Sequence, residues 1–149
     1  MIRWSQRRSD CKAVGGGSVP EGLLWQWFTL KLFHSAALFA LGEKDAGYEA
    51  LTEGVEAYER WGAFDKGQPL SIGELSPSGS ITVRRDCIND DPTNAIYIKD
   101  ELFSIRHGGI SVRHSEDRIR KMFAPVLEEE RFRELFDRAV KVEEKATAT

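Results

Sequence analysis

The fold of this chain depends first on residues 21–61, which read EGLLWQWFTLKLFHSAALFALGEKDAGYEALTEGVEAYERW. Over residues 23–41 the apolar side chains cover most of a helix circumference, so the sequence predicts a helix enclosed on more than one side. Gly42 is the residue type that usually ends a helix, and Asp45 is predicted to cap a second helix over residues 46–61. Residues 21–61 are therefore predicted to form a helical hairpin.

The aromatic residues of the hairpin have two interpretations. An exposed group of Trp25, Trp27, Phe28 and Trp61 would make a recognition surface, because such residues dominate interface hot spots. Their helical spacing within an apolar run is more typical of a core. We therefore predict that these side chains are buried.

Residues 1–19 are predicted to be a flexible tail. They have no apolar period, and the run GGGS at residues 15–18 is typical of a flexible linker. The tail carries Arg3, Arg7 and Arg8, so an acidic partner or nucleic acid is one interpretation and a solvated terminus is the other.

The period of the apolar residues changes after the hairpin, in residues 68–113. Short, partly alternating apolar runs typical of strands occur at residues 70–72, 81–83 and 95–98. Runs rich in turn formers separate them at residues 76–79 and 89–94. The sequence predicts a small antiparallel sheet of two or three strands, which needs a helix to cover its apolar face.

The segment after the last predicted strand contains a short apolar stretch and a pair of glycines. Residues 100–106 are predicted to form a brief helix, which the glycine pair at residues 108–109 would end. Residues 110–112 are predicted to be extended.

The C-terminal part of the chain is predicted to be helical. One helix is expected over residues 115–124, capped by Ser115, and another over residues 126–144, begun by Pro125. An apolar stripe on the last helix must dock on the rest of the chain, and it consists of Phe132, Leu135, Phe136, Ala139 and Val140.

Together these elements predict one α+β domain, mostly helical, over residues 20–145. The chain of 149 residues is the size of one ordinary domain, and its 41% hydrophobic and 30% charged residues are typical of globular proteins. The domain would consist of the repeat-like α-hairpin, the small antiparallel sheet and the C-terminal helices, in residues 20–61, 68–113 and 115–145.

Charge and cysteine content exclude several classes of function. A net charge of −3 does not favour binding to nucleic acid or to an anionic membrane. Lys31 and His34 interrupt the apolar run of residues 23–41, which argues against a membrane span. Cys11 and Cys87 are isolated, which predicts reduced thiols in a cytoplasmic protein without a disulfide framework, zinc site or other cofactor.

The hairpin resembles one tetratricopeptide-type repeat, over about residues 31–61. The resemblance lies in the stretch LFHSAALFALGEKDAGYEALTEGVEAY, residues 32–58, aligned on the turn glycine Gly42. The small residues that would let the helices approach are Ser35, Gly47 and Gly54, with Leu38 and Leu51 as the large residues between them. The order of elements is also similar to that of uncharacterised bacterial proteins that append such elements to repeats.

The resemblance implies a binding role for the first helix. In repeats of this type that helix lines the binding groove, which would place Thr29, Leu32, Ala36 and Phe39 against a protein partner. The groove would be mostly apolar. It would accept a helix of another chain, or the C-terminal helix of its own chain.

The sequence RHGGISVRH, residues 106–114, is the densest candidate for chemistry. Its candidate catalytic residues are Arg106, His107, Arg113 and His114, because arginine can stabilise a phosphate and histidine can move a proton. The segment is similar to the Arg-to-His motif of HEPN-type ribonucleases, although its spacing is longer. The alternative interpretation is a polar loop between a strand and a helix.

We therefore predict a non-enzymatic interaction or regulatory module that binds a protein partner or associates with itself. A HEPN-like ribonuclease or phosphate-handling enzyme that uses residues 106–114 is the alternative.

Overall fold

Two helices form the predicted hairpin in a computed structural model of the chain, which describes residues 19–88, 91–107 and 109–147. A short 3-10 turn, Glu21–Leu23, leads into helix α1, Leu24–Ala40, and helix α2 follows over Lys44–Gly62. Gly42 has a φ of 80°, which confirms that it ends the first helix in the left-handed conformation. The predicted tail lies outside the described residues, apart from its last residue.

The predicted cap of the second helix is wrong. Helix α2 begins two residues earlier than the sequence predicted, and its N-cap is Glu43, which makes no side-chain capping hydrogen bond. Asp45 lies in the first helical turn instead. There its carboxylate faces the positive end of the helix dipole, which favours the same residue type for a different reason.

Two glycines of α2 allow α1 to approach closely. A Cβ atom on Gly47 would lie 2.7 Å from the ring of Phe39, and one on Gly54 would lie 2.8 Å from the Cβ of Lys31. Both distances are shorter than the van der Waals contact between carbon atoms. Because these positions lack a side chain, the two helices pack with their backbones nearly in contact.

Replacing Gly54 with alanine is expected to lower the free energy of unfolding by about 1–2 kcal/mol. Alanine is the better helix former by about 1 kcal/mol, but the collision with the root of Lys31 requires the helix axes to separate and costs more than that gain. Chemical denaturation measures the change. The exposed Glu56→Ala variant on the same helix is the control, and a Gly54→Ala protein more stable than the control would contradict the close approach.

Aromatic side chains fill the centre of the hairpin. Phe28 stacks on Tyr58 with ring centroids 4.1 Å apart, and Trp61 lies 4.9 Å from Trp25. All four side chains are almost fully buried, which confirms the predicted core role of the three that the sequence singled out. Trp27, the fourth aromatic residue predicted to be buried, is only partly buried and lies beneath the ammonium group of a lysine.

Four antiparallel strands form the sheet, in the order β1-β2-β3-β4. Their bounds are Leu70–Ser71, Ile81–Ile88, Asp91–Ile98 and Glu101–His107. The prediction of a small antiparallel sheet is confirmed, but the brief helix predicted over residues 100–106 is wrong, because those residues belong to β4. The reversal before β4 uses Lys99 and Asp100, both at positive φ, and neither is the asparagine or glycine that usually marks such a turn.

Two buried polar side chains join the sheet to the helices. Trp61 donates a hydrogen bond from Nε1 to Oδ1 of Asn94 on β3, at 2.9 Å. Arg85 on β2 donates to the carbonyl oxygens of Phe64 and Ala146, at 3.0 and 3.1 Å. Burial lowers the pKa of the Arg85 guanidinium, and nearby acidic groups partly oppose that shift. These contacts fix the sheet against α2 and the end of the last helix.

The C-terminal region contains helix α3, Glu116–Met122, a 3-10 turn, Ala124–Val126, and helix α4, Glu130–Thr147. Pro125 lies in the 3-10 turn, so the last helix begins later than the sequence predicted. Residues 110 and 111, predicted to be extended, have no regular secondary structure, and residue 112 begins a turn. Helix α4 packs on α2 and β3 as its apolar stripe required, burying Phe132, Leu135, Ala139 and Val142.

The chain thus has the predicted mostly helical α+β fold. Within the described residues, no helix combines the length and the apolar character needed to cross a bilayer.

Candidate functional site

The residues predicted to line a partner groove lie inside the protein. Leu32, Ala36 and Phe39 are 3%, 8% and 4% exposed. Thr29 is partly buried, and its Oγ1 donates to the carbonyl oxygen of Trp25 and accepts a hydrogen bond from the backbone N–H of Ile110 at 3.0 Å. These four side chains hold the fold together.

The chain itself occupies the predicted groove. The ring of Phe123 lies 5.9 Å from that of Phe39, and Val112 and Ile119 surround the same small void as Leu32. The sequence left open whether a helix of another chain or the C-terminal helix of its own chain would cover this face. The chain covers it with the loop at Val112, with α3 and with α4, and leaves the buried groove residues no exposed surface for a partner.

A different face of α1 remains exposed and is apolar. Leu30, Phe33 and Leu41 are 58%, 38% and 76% exposed, and Ala37 and Ala40 are exposed beside them. Residues three and four positions apart are neighbours on a helix surface, so these side chains form one continuous stripe. We call this stripe the outer face of α1. Apolar patches of this kind mark interaction sites more often than isolated exposed leucines do.

No charged side chain of α1 projects from the outer face. Lys31 is the one charged residue in the sequence of α1, and it is turned inward, where its Nζ lies 2.9 Å from a carboxylate oxygen of Glu53. His34 is exposed next to the stripe. At its margin, the guanidinium of Arg118 lies 5.4 Å from the ring centroid of Phe33. The surface is thus apolar in the middle and polar at the rim, like the core of a protein interface.

The other exposed apolar side chains do not form a comparable surface. Leu102 and Phe103 on the edge strand β4 are 53% and 69% exposed. A register irregularity interrupts the pairing of β4 with β3 at these residues, so the strand edge is irregular there. The two side chains make a smaller apolar surface than the stripe on α1.

A buried carboxylate organises the segment that the sequence singled out for chemistry. Glu143 on α4 is fully buried, and its Oε2 accepts hydrogen bonds from the hydroxyl of Tyr58 and the N–H of Val112, both at 2.6 Å. Its Oε1 accepts from the hydroxyl of Ser111 and the N–H of Arg113, both at 3.0 Å. We call these residues the Glu143 cluster. It fixes the loop before α3 to the last helix.

Ser111 connects a histidine to the cluster. Its hydroxyl donates a hydrogen bond to Oε1 of Glu143 at 3.0 Å, and its oxygen lies 3.2 Å from Nδ1 of His114. Ser111 and His114 are therefore held together at the edge of the cluster.

The four candidate catalytic residues are distributed over two elements. Arg106 and His107 end β4, and their side chains lie outside the part of the chain that the structure describes. Arg113 is partly buried, with its Nε 3.5 Å from Oε1 of Glu143, and His114 is exposed. The described contacts of Arg113 and His114 therefore belong to the Glu143 cluster.

Comparison of the chain with protein-family models, curated proteins and solved structures gave no match. Its function therefore has to be argued from its own surface.

A cavity between α3 and α4 is the roomiest of the described ones, at about 330 Å³. Four of its charged lining residues pair with one another, Arg120 with Glu116 and Arg133 with Glu128, the second pair at 2.6 Å. Paired charges leave little to orient a ligand, so this cavity is a weaker candidate than the outer face of α1.

Sequence reasoning missed both the Glu143 cluster and the orientation of α1. A signal for the cluster was present, because Glu143 follows the buried stripe of α4 at helical spacing, where an apolar residue is expected. The exposed positions of α1 had no such signal. An apolar residue occurs at nearly every angle around that helix, so the pattern does not distinguish the covered side from the exposed one.

Proposed function

We propose that this chain is a non-catalytic protein interaction module that binds through the outer face of α1. The observation that carries the proposal is the exposure of Leu30, Phe33 and Leu41 on one continuous stripe, while Leu32 and Phe39 on another side of the same helix are buried. A partner that covered this stripe would stabilise the complex by about 25 cal/mol for each Å² of apolar surface removed from water.

The position of the face supports a binding role. It lies on a helix that close packing holds against α2 through Gly54, so its side chains are presented on a rigid element. Because these side chains are already held in place, binding costs less conformational entropy. The resemblance to a tetratricopeptide-type hairpin agrees with a binding role, although the surface proposed here is a different side of the helix from the implied groove.

Other sequence-based predictions stay predictions. The ribonuclease alternative gains no support from the described contacts of Arg113 and His114, which serve the Glu143 cluster. The cytoplasmic location and the similarity to uncharacterised bacterial proteins are likewise predictions from the sequence alone.

Replacing Leu30 with glutamate is expected to reduce recovery of a bound protein at least tenfold. A carboxylate placed in the middle of an apolar contact would lose its water without gaining a partner. Tagged wild-type and variant chains are used to purify bound proteins from the native cell, and quantitative mass spectrometry compares the amounts. Because Leu30 is 58% exposed, the variant should fold normally, which circular dichroism checks.

The matched control is Leu75→Glu, at a leucine that is 70% exposed in the Gly73–Leu75 turn outside the outer face. It makes the same chemical change on a different surface and should leave recovery unchanged. If the Leu30→Glu bait recovers the same proteins in the same amounts as the wild type, the outer face is not the binding surface.

A further inference from the structure

We infer that the partner of the outer face is a second copy of this chain, docked with the two α1 helices antiparallel. This inference rests on the proposed function and names its occupant. It is argued from the order of large and small residues along the face, from its charge and from its area.

The large and small residues of the face are complementary to themselves. Leu30, Phe33, Ala37 and Ala40 follow one another at steps of three and four, the spacing of a seam between two packed helices. If two copies of α1 run antiparallel about a two-fold axis that passes the outer face halfway between Phe33 and Ala37, Phe33 of each copy faces Ala37 of the other. By the same symmetry, Leu30 faces Ala40. Each large side chain then meets a small one, as close packing requires.

A parallel arrangement lacks this complementarity. It would place Phe33 against Phe33 and Ala37 against Ala37, so that the helices would be forced apart at one level and would leave a void at the next. Voids and overpacking both destabilise an interface. An isologous contact between identical patches is also the commonest way in which protein chains pair.

The charge of the face permits contact with its own copy. Within α1 the charge of Lys31 is turned inward and neutralised by Glu53. The basic groups nearest the proposed axis, Arg118 and the exposed His34, lie at the margins of the face, where the polar rim of an interface stays accessible to water. Antiparallel helices also bring the positive end of each helix dipole near the negative end of the other. A charged partner would find no complementary group in the middle of this face.

The area of the face predicts a weak dimer. From Leu30 to Leu41 the stripe is about 17 Å long and only a few side chains wide, so two copies would bury less than the roughly 1,200 Å² that stable interfaces bury. We therefore expect a weak, concentration-dependent association, in which the chain exchanges between monomer and dimer.

Sedimentation equilibrium of the full chain, from about 5 to about 500 µM, tests the association. The weight-average mass should rise from 16.8 kDa towards twice that value as the concentration increases. Leu30→Glu should raise the dissociation constant at least tenfold, and Leu75→Glu should leave it unchanged. A mass that stays at the monomer value, or a dimer that Leu30→Glu does not weaken, overturns the inference.

Disulfide cross-linking tests the orientation, in a background with Cys11→Ser and Cys87→Ser. A mixture of Phe33→Cys chains with Ala37→Cys chains should give more mixed disulfide than either variant gives with itself. Self-cross-linking of the Phe33→Cys chain in excess of the mixed product would show a parallel pair and overturn the inference.

The two proposals fail in different ways. If the chain is monomeric but a different protein is recovered in a Leu30-dependent manner, the inference that the partner is a second copy is wrong. The proposed binding role of the face would then stand. If no protein of either kind depends on Leu30, both proposals are wrong.

Discussion

A Glu143→Ala protein is expected to lose about 3–5 kcal/mol of its free energy of unfolding, the range found when one partner of a buried charged network is removed. The reason is that the carboxylate is fully buried and accepts hydrogen bonds from Tyr58, Ser111, Val112 and Arg113. Without it these donors are left in the core without an acceptor, and each buried unsatisfied group costs about 1–3 kcal/mol. Since domains are stable by only about 5–15 kcal/mol, the loss should be visible as a large shift in the midpoint of urea denaturation.

Glu134→Ala is the matched control for this prediction. Glu134 is exposed on the same helix, so the same substitution there should change the free energy of unfolding by no more than about 0.5 kcal/mol. Glu143→Gln adds a second comparison, because the amide keeps the volume but turns protons towards some of the donors, and it should also destabilise. Equal stability of the Glu143→Ala and Glu134→Ala proteins would contradict the structural role of the cluster.

Trp61→Ala is expected to cost a similar amount, about 3–5 kcal/mol, because it removes the largest of the fully buried side chains. The indole packs against Trp25 and Tyr58 and donates to Asn94, so one side chain connects the helical hairpin to the sheet. Thermal and chemical denaturation both measure the loss. The midpoint of each transition should fall well below that of the wild type.

Two further variants separate packing from hydrogen bonding at this position. Trp61→Phe keeps an aromatic ring but leaves Oδ1 of the buried Asn94 without its donor, so it should cost about 1–3 kcal/mol. Trp27→Ala removes an indole that is only partly buried and should cost less than Trp61→Ala. A Trp27→Ala protein that is as unstable as Trp61→Ala would show that burial is not what distinguishes the two tryptophans.

These predictions distinguish the residues that stabilise the fold from the residues that are proposed to bind a partner. Substitutions in the Glu143 cluster and at Trp61 should lower stability first and binding only through loss of the fold. Substitutions on the outer face, such as Leu30→Glu, should lower binding without lowering stability. The proposed function therefore depends on residues whose removal the fold tolerates.

The sequence by itself determined the helical hairpin, its turn at Gly42, the presence of a small antiparallel sheet and the docking of the last helix. These features depend on local signals in the sequence: the period of apolar residues, a glycine between two helical stretches, and clusters of turn formers. The helix predicted over residues 100–106 is wrong because the turn at Lys99 and Asp100 lacks the Asn-Gly or Asp-Gly pair that marks a two-residue hairpin.

Only the tertiary structure decided which side of α1 is covered and which is exposed. Nearly every position of that helix is apolar, so its own sequence gives equal reason to bury the side with Leu32 and Phe39 and the side with Leu30 and Phe33. The choice depends on residues far along the chain, above all Phe123 and the loop held by Glu143, which cover one side and leave the other in water. Local patterns determine elements, but the surface available to a partner is determined by which distant residues pack against them.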